Sequence, residues 1–190
     1  MLYNALVLPH LQYCLMAWGD FEGNRNIGLG DSLLKLQKRL VGIIDGRRNK
    51  YHSDPILADL GILKVGDLYR QQLRIHAWKF WNHKLPSGQA LMLTRVSDTH
   101  RYSTRHAEAG ISSQSRDNRS TTYRVTKEWD SLSRPQRDIG SLSSFKKRSR
   151  LGFVSEYRAF NCRIKDCFVC KSEELILSNC SADPLSGTEG

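Results

Sequence analysis

Four cysteines near the C-terminus have the spacing most suggestive of chemistry. Cys162, Cys167, Cys170 and Cys180 read C-x4-C-x2-C-x9-C. Four thiolates can hold a tetrahedral zinc ion, and the C-x2-C half is the usual chelating unit. Arg163, Lys165 and Lys171 lie among them, and nearby cations lower thiol pKa values. The spacing matches no standard zinc finger, so a tail carrying free thiols stays open as the plainer reading. A second set is cationic. Lys35, Lys38 and Arg39 recur at helical spacing and could grip backbone phosphates, with Gly42 between them allowing a strand to approach. Taken alone they could equally be a solvated helix face, as most charge runs are. Arg70, Arg74 and Trp81 form a third set, a cation-plus-aromatic stripe of the kind that stacks single-stranded bases. Arginine stems covering a half-buried tryptophan would give the same spacing. The six histidines never pair with a cysteine or serine in a way that suggests a nucleophile.

The helix that must present the first cations is Asp31–Gly46, DSLLKLQKRLVGIIDG. Its period places Leu33, Leu36, Leu40, Ile43 and Ile44 on one side, flanked by Leu34 and Val41, and this side is expected to face a core. The cations fall on the other side, towards water or phosphate. Asp31 or Ser32 can cap its start, and Gly46 can close its end in a left-handed conformation. Gln37 falls within the apolar face and needs hydrogen-bond partners if buried.

The remaining elements follow from the same signals. Leu2–Trp18 is strongly apolar and reads as a core helix, kinked or restarted at Pro9. It lacks the basic opening of a signal peptide. An opening this apolar suggests packing against another element, such as a preceding domain. Gly19–Gly30 reads as a loop. Ser53 or Asp54 can cap a short helix over Ile56–Leu60 that Gly61 ends, and Asp67 can cap a longer one over Leu68–His83, with Leu68, Tyr69, Leu73, Ile75 and Phe80 as its apolar stripe. The composition from about Ser97 to Thr122 shifts to Ser, Thr, Arg and His and reads as a long connection. Tyr123–Leu132 and Ser141–Tyr157 read as two further helices separated by a turn at Pro135. Leu142, Phe145 and Phe153 lie on one side of the second, with Lys146, Lys147, Arg148 and Arg150 over the rest.

The 190 residues carry a formal net charge of +10. Such a balance argues for a polyanionic partner, most often nucleic acid and less often an anionic membrane surface. No apolar run is long enough to cross a bilayer. The fifth cysteine, Cys14, stands apart from the tail cluster, and an odd, clustered set does not read as a secreted disulfide framework. A reducing compartment, cytoplasm or nucleus, is favoured.

In order along the chain, LYNALVLPHLQYCLMAWG, LLKLQKRLVGII, HSDPILADLGILKVGDLY, HRYSTR, EWDSL and SLSSFKKRSR resemble the C-terminal part of non-LTR retrotransposon reverse transcriptases, LINE-type elements of the jockey and related lineages. The resemblance spans Leu2 to Tyr157. It implies the thumb helices and the segment that follows them, and with the elements read above the chain is expected to be all-α: a thumb-like helical module over 1–92, a flexible connection over 93–122, a C-terminal helical unit over 123–160 and a disordered cysteine-containing tail over 161–190. It also implies RNA or DNA as a sequence-independent partner, together with an upstream polymerase domain. The family's metal-holding carboxylates belong to a Tyr/Phe-x-Asp-Asp signature in the palm. This chain has no such pair, so the resemblance implies a non-enzymatic fragment of an RNA-directed DNA polymerase. Where the family carries Trp-Asn-x-Leu-Pro, this chain reads Trp129-Asp130-Ser131-Leu132-Ser133, a departure that fits a decayed copy. Two alternatives from other classes remain: a protein-interaction module docking through the apolar Leu2–Trp18 segment, and a small zinc-dependent binder built on the tail.

The tail readings separate by metal analysis. A thiolate site should co-purify with about one equivalent of zinc under reducing conditions and lose it when Cys167 and Cys170 are changed to Ser. Metal-free protein under those conditions would leave the tail with free thiols.

Overall fold

A computed structural model describes residues 2–19, 27–46, 52–90, 92–99, 110–115, 117 and 120–158. The four tail cysteines lie outside these residues, as do most of the Gly19–Gly30 loop and the HRYSTR motif. The fold is all-α. In chain order the elements are α1 (Leu2–Leu6), α2 (Leu8–Gln12), α3 (Leu15–Trp18), α4 (Ile27–Ile44), α5 (Ser53–Asp59), α6 (Val65–Trp81), α7 (Ser87–Ala90), β1 (Leu93–Arg95), α8 (Val96–Thr99), β2 (Ile111–Ser113), α9 (Thr121–Asp130), α10 (Arg134–Arg137) and α11 (Leu142–Arg158).

The apolar opening is three short helices. Val7 keeps helical dihedrals between α1 and α2, and Pro9 sits in the first turn of α2, where its missing N–H costs nothing. The break comes at Tyr13–Cys14. Cys14 adopts φ 47°, a left-handed value that an L side chain resists, and the chain turns there into α3. Tyr3 and Leu15 are buried, with Leu8, Leu11 and Met16 packed against the core.

The central element is α6. Leu68, Tyr69, Leu73, Ile75, Ala77 and Trp78 are all buried. They meet Val125 and Trp129 from α9, and Phe145 and Phe153 from α11, in one cluster. Trp78 is fully buried; its indole N–H donates to the Ile139 carbonyl at 2.7 Å, and its ring lies 6.0 Å from Phe145. A second cluster joins Tyr3, Val41, Ile56, Leu57, Ala58, Ile62 and Tyr157. Residues from 1–92 and 123–160 therefore share both clusters.

The 93–122 stretch, expected as a flexible connection, contains a short antiparallel pair. β1 and β2 align Leu93 with Ser113, Thr94 with Ser112 and Arg95 with Ile111. Leu93 and Ile111 are 3% exposed; two core contacts on one face suffice to order strands too short to show an alternating pattern.

Several helix starts differ from the sequence expectation. α4 begins at Ile27, so Asp31 and Ser32 lie inside it and do not cap it. α5 begins at Ser53 and is preceded by His52. α6 begins at Val65, with Asp67 in its first turn, where a carboxylate still favours the positive helix end. The glycine helix ends were legible: Gly46, expected to be left-handed, has φ 72°, and Gly61, expected to end its helix, has φ 61°, values at which glycine carries no Cβ penalty.

The leading amides of α6 are satisfied from other elements. Lys64 precedes α6 and makes no side-chain cap. Its own N–H donates to the Tyr157 hydroxyl at 3.0 Å, and the Val65 N–H donates to Gln37 Oε1 at 3.0 Å. Gln37 Nε2 in turn donates to the Leu63 carbonyl and to the Tyr3 hydroxyl, both at 2.7 Å. Tyr157 donates to Asp67, and burial together with that carboxylate raises its phenol above the ordinary value.

Gln37 is 1% exposed, so its carboxamide bonds are made away from water. Replacing it with Ala strands the Val65 N–H and the Leu63 carbonyl, each worth about 1–3 kcal/mol when buried without a partner. Gln37→Ala should therefore lower the unfolding free energy by roughly 2–4 kcal/mol, read from the urea midpoint. A midpoint that does not move would show that Gln37 is not a fastening point.

Candidate nucleic-acid interface

The sequence places the three cations of α4 on a face opposite its aliphatic stripe. The structure turns that helix differently. Its inward side consists of Gln37, Val41 and Gly42, with Leu33, Leu34 and Lys38 half-buried. Its outward side carries Leu36 (53% exposed), Ile43 (72%), Leu29, Leu40 and Ile44 beside Lys35 and Arg39. The expected core face is thus largely a surface. Gly42 faces protein, so it offers no open approach to a nucleic-acid strand.

The three cations differ in setting. Lys35 and Arg39 are exposed and form no ion pair among the described residues. Lys38 is half-buried and contributes to the field at Asp54. Burial pushes the Asp54 carboxyl up, but the hydrogen bond and charge of Lys64, 2.8 Å away, with Lys38 and His52, outweigh it and hold the carboxyl below its usual range.

Arg70 and Arg74 are brought together, but around Glu128 of α9. Arg70 Nε lies 2.8 Å from Glu128 Oε1, and Arg74 Nε lies 2.8 Å from Oε2. Both guanidinium groups also stand over the Phe153 ring, at 5.3 and 4.4 Å. The Arg74 and Glu128 side chains are only 12% and 13% exposed. Beside them a cleft of about 190 Å³ is lined by Tyr69, Arg70, Leu73, Arg124, Lys127 and Glu128. Arg124, itself buried, donates to the Tyr69 hydroxyl at 3.1 Å. Trp81 is not part of this group: its ring packs 5.5 Å from that of Trp129, and the Arg95 guanidinium covers it at 4.8 Å. The stripe that could have been a base-stacking platform is largely occupied by α9, α11 and β1. No local signal could have revealed this, because Glu128 lies 54 and 58 residues from its two arginines.

A second basic surface lies on α11. Lys146, Lys147 and Arg148 are exposed, and an open groove of about 620 Å³ is lined by Gln136, Ser144, Lys147, Arg148, Leu151, Gly152 and Ser155, with no carboxylate among them. Arg150 turns away to bind the Gly61 carbonyl through Nε at 2.8 Å. Among the described residues no group of His, Cys, Asp and Glu could hold a metal ion, and no helix is long and apolar enough to cross a membrane. No family model, curated protein or solved structure matches the chain.

The Glu128 arrangement can be tested for its structural part. Glu128→Gln removes the negative charge between two guanidinium groups, one of them well buried. Breaking a fully buried pair costs about 3–5 kcal/mol, so this partly exposed one should cost roughly 2–4 kcal/mol of unfolding free energy. A loss below about 0.5 kcal/mol, the range of exposed pairs, would return Arg70 and Arg74 to the status of surface cations.

Proposed function

We propose that this chain is the thumb and post-thumb region of a non-LTR retrotransposon reverse transcriptase, without the catalytic palm, and that it binds RNA or DNA without sequence preference. The observation that carries the binding reading is the pair Lys35 and Arg39, one turn apart on α4, exposed and without an ion pair among the described residues. Cations held by carboxylates, as Arg70 and Arg74 are, must break those bonds before they can serve a phosphate. Unpaired exposed cations need only release water. The overall charge of +10 adds a long-range attraction for any polyanion. The family reading itself rests on the ordered series of sequence segments from Leu2 to Tyr157. The all-α architecture, with α6 packed between α9 and α11, is compatible with it. No step of polymerase chemistry is assigned to this chain.

The test compares two pairs of equal charge. Lys35 and Arg39 changed together to Gln keep helix propensity and leave the buried side of α4 untouched. The slope of log affinity against log salt should become shallower by about 1.4–1.8, because each lost phosphate contact removes about 0.7–0.9. Lys147 and Arg148 changed to Gln form the control on α11. Equal losses from both pairs would mean that binding follows total charge alone, and an absence of binding to any RNA or DNA would end the nucleic-acid reading.

A further inference from the structure

The cleft between α6 and α9 carries an excess of positive charge. Tyr69, Arg70 and Leu73 of α6 and Arg124, Lys127 and Glu128 of α9 line its volume of about 190 Å³. Among these described residues three are cations and one is a carboxylate, so two positive charges are in excess. The neighbours just outside the lining leave that excess unchanged. Arg74 adds a cation on Glu128, and Asp67, 3.9 Å from Arg70, adds a carboxylate. Like charges gathered in a half-enclosed space repel one another, and the buried Leu73 side chain beside them lowers the local dielectric. An anion seated between them relieves that repulsion.

Size and charge identify the anion. The cleft is smaller than the roughly 300–1,000 Å³ of pockets that enclose whole small-molecule ligands, so it suits a single head group. Two excess cations match a phosphate monoester, which carries about −1.5 to −2 near neutral pH. A carboxylate or an internal phosphodiester carries about half of that, and a diester also continues as chain on both sides. The walls suit an oxyanion. Arg124 is 8% exposed, and its Nη1 donates to the Tyr69 hydroxyl at 3.1 Å, which fixes the guanidinium in place. That planar fork matches phosphate oxygens in pairs. Lys127, one turn further along α9, is exposed and forms no ion pair among the described residues. Arg70 keeps its bond to Glu128 and contributes only its charge.

We propose that the α6–α9 cleft binds a dianionic phosphate group, with Arg124 and Lys127 as its ligands. Inorganic phosphate and the terminal phosphate of a nucleotide strand present the same tetrahedral oxyanion, and either can fill it. The site uses no residue of α4, so it stands whether or not Lys35 and Arg39 meet a nucleic-acid backbone.

The test titrates the full chain with inorganic phosphate at fixed ionic strength. Saturable binding is expected, with amide chemical-shift changes centred on residues 69–73 and 124–128. Lys127→Gln, a change at an exposed position outside the packed core, should weaken the affinity about fivefold, because a charge-assisted contact is lost. Lys147→Gln removes the same charge from α11 and should change it by less than about twofold, since salt screens distant charges. An absence of saturable binding would overturn the proposal. So would shifts centred on α4 or α11, or equal losses from the two variants. Two oligonucleotides that differ only in a 5′-phosphate or a 5′-hydroxyl then separate the sources. A strand end in the cleft makes the phosphorylated strand bind about fivefold more tightly, an advantage that Lys127→Gln removes. Phosphate binding without such an advantage assigns the cleft to free phosphate.

Discussion

A buried carboxamide decides how this molecule is assembled. Gln37 can donate twice and accept, and away from water each of these capacities needs a partner. The structure supplies the Tyr3 hydroxyl, the Leu63 carbonyl and the Val65 N–H. Those partners come from α1 and from the turn that opens α6, so one side chain on α4 fixes three parts of the chain together. Tyr157 completes the arrangement from α11 by accepting the Lys64 N–H. A helix start normally capped by its own preceding residue is here satisfied by two distant side chains, and this ties the entry of α6 to tertiary contacts.

That constraint has a cost on the other side of α4. Turning Gln37 inward also turns Val41 and Gly42 inward, and helical geometry then sends Leu36, Leu40 and Ile43 outward. Burial of more aliphatic area would favour the opposite rotation. That rotation would move Gln37 away from its partners and leave the amide of Val65 and the carbonyl of Leu63 without them, and buried unpaired groups are costly. The result is a helix with an amide-centred interior and an aliphatic exterior, whose exposed cations, Lys35 and Arg39, lie at the edge of the strip and not opposite it.

Ion pairing plays the corresponding part between α6, α9 and α11. Glu128 holds Arg70 and Arg74, and both lie over Phe153. The arrangement lets a charged helix face be packed. The guanidinium groups are covered by a ring while their charge is answered by a carboxylate, so they are not left buried and unpaired. It also separates the cations of this chain into two populations: those tied into the packing, such as Arg74 and Arg124, and those on exposed faces, such as Lys35, Arg39, Lys147 and Arg148.

The sequence alone determined what depends on local chemistry and on period. Helical spacing identified the buried stripe of α6, from Leu68 to Ile75, and the Phe145–Phe153 side of α11. Glycine identified the left-handed closure at Gly46 and the helix end at Gly61, because only a residue without Cβ sits freely at their positive φ. The restart at Pro9 followed from its missing N–H. The need of Gln37 for partners was also legible, although its partners were not. Tertiary structure decided which side of α4 faces inward, because a preference for burying leucine is spread over many residues, while the demand of one buried amide is met at a single place. It decided the Leu93–Ile111 strand pair, whose three-residue strands are too short to carry a periodic signal. It also decided the fate of Arg70, Arg74 and Trp81: a cation stripe reads the same in sequence whether it awaits a phosphate or already holds a carboxylate, and Glu128 comes beside it only when α9 packs on α6.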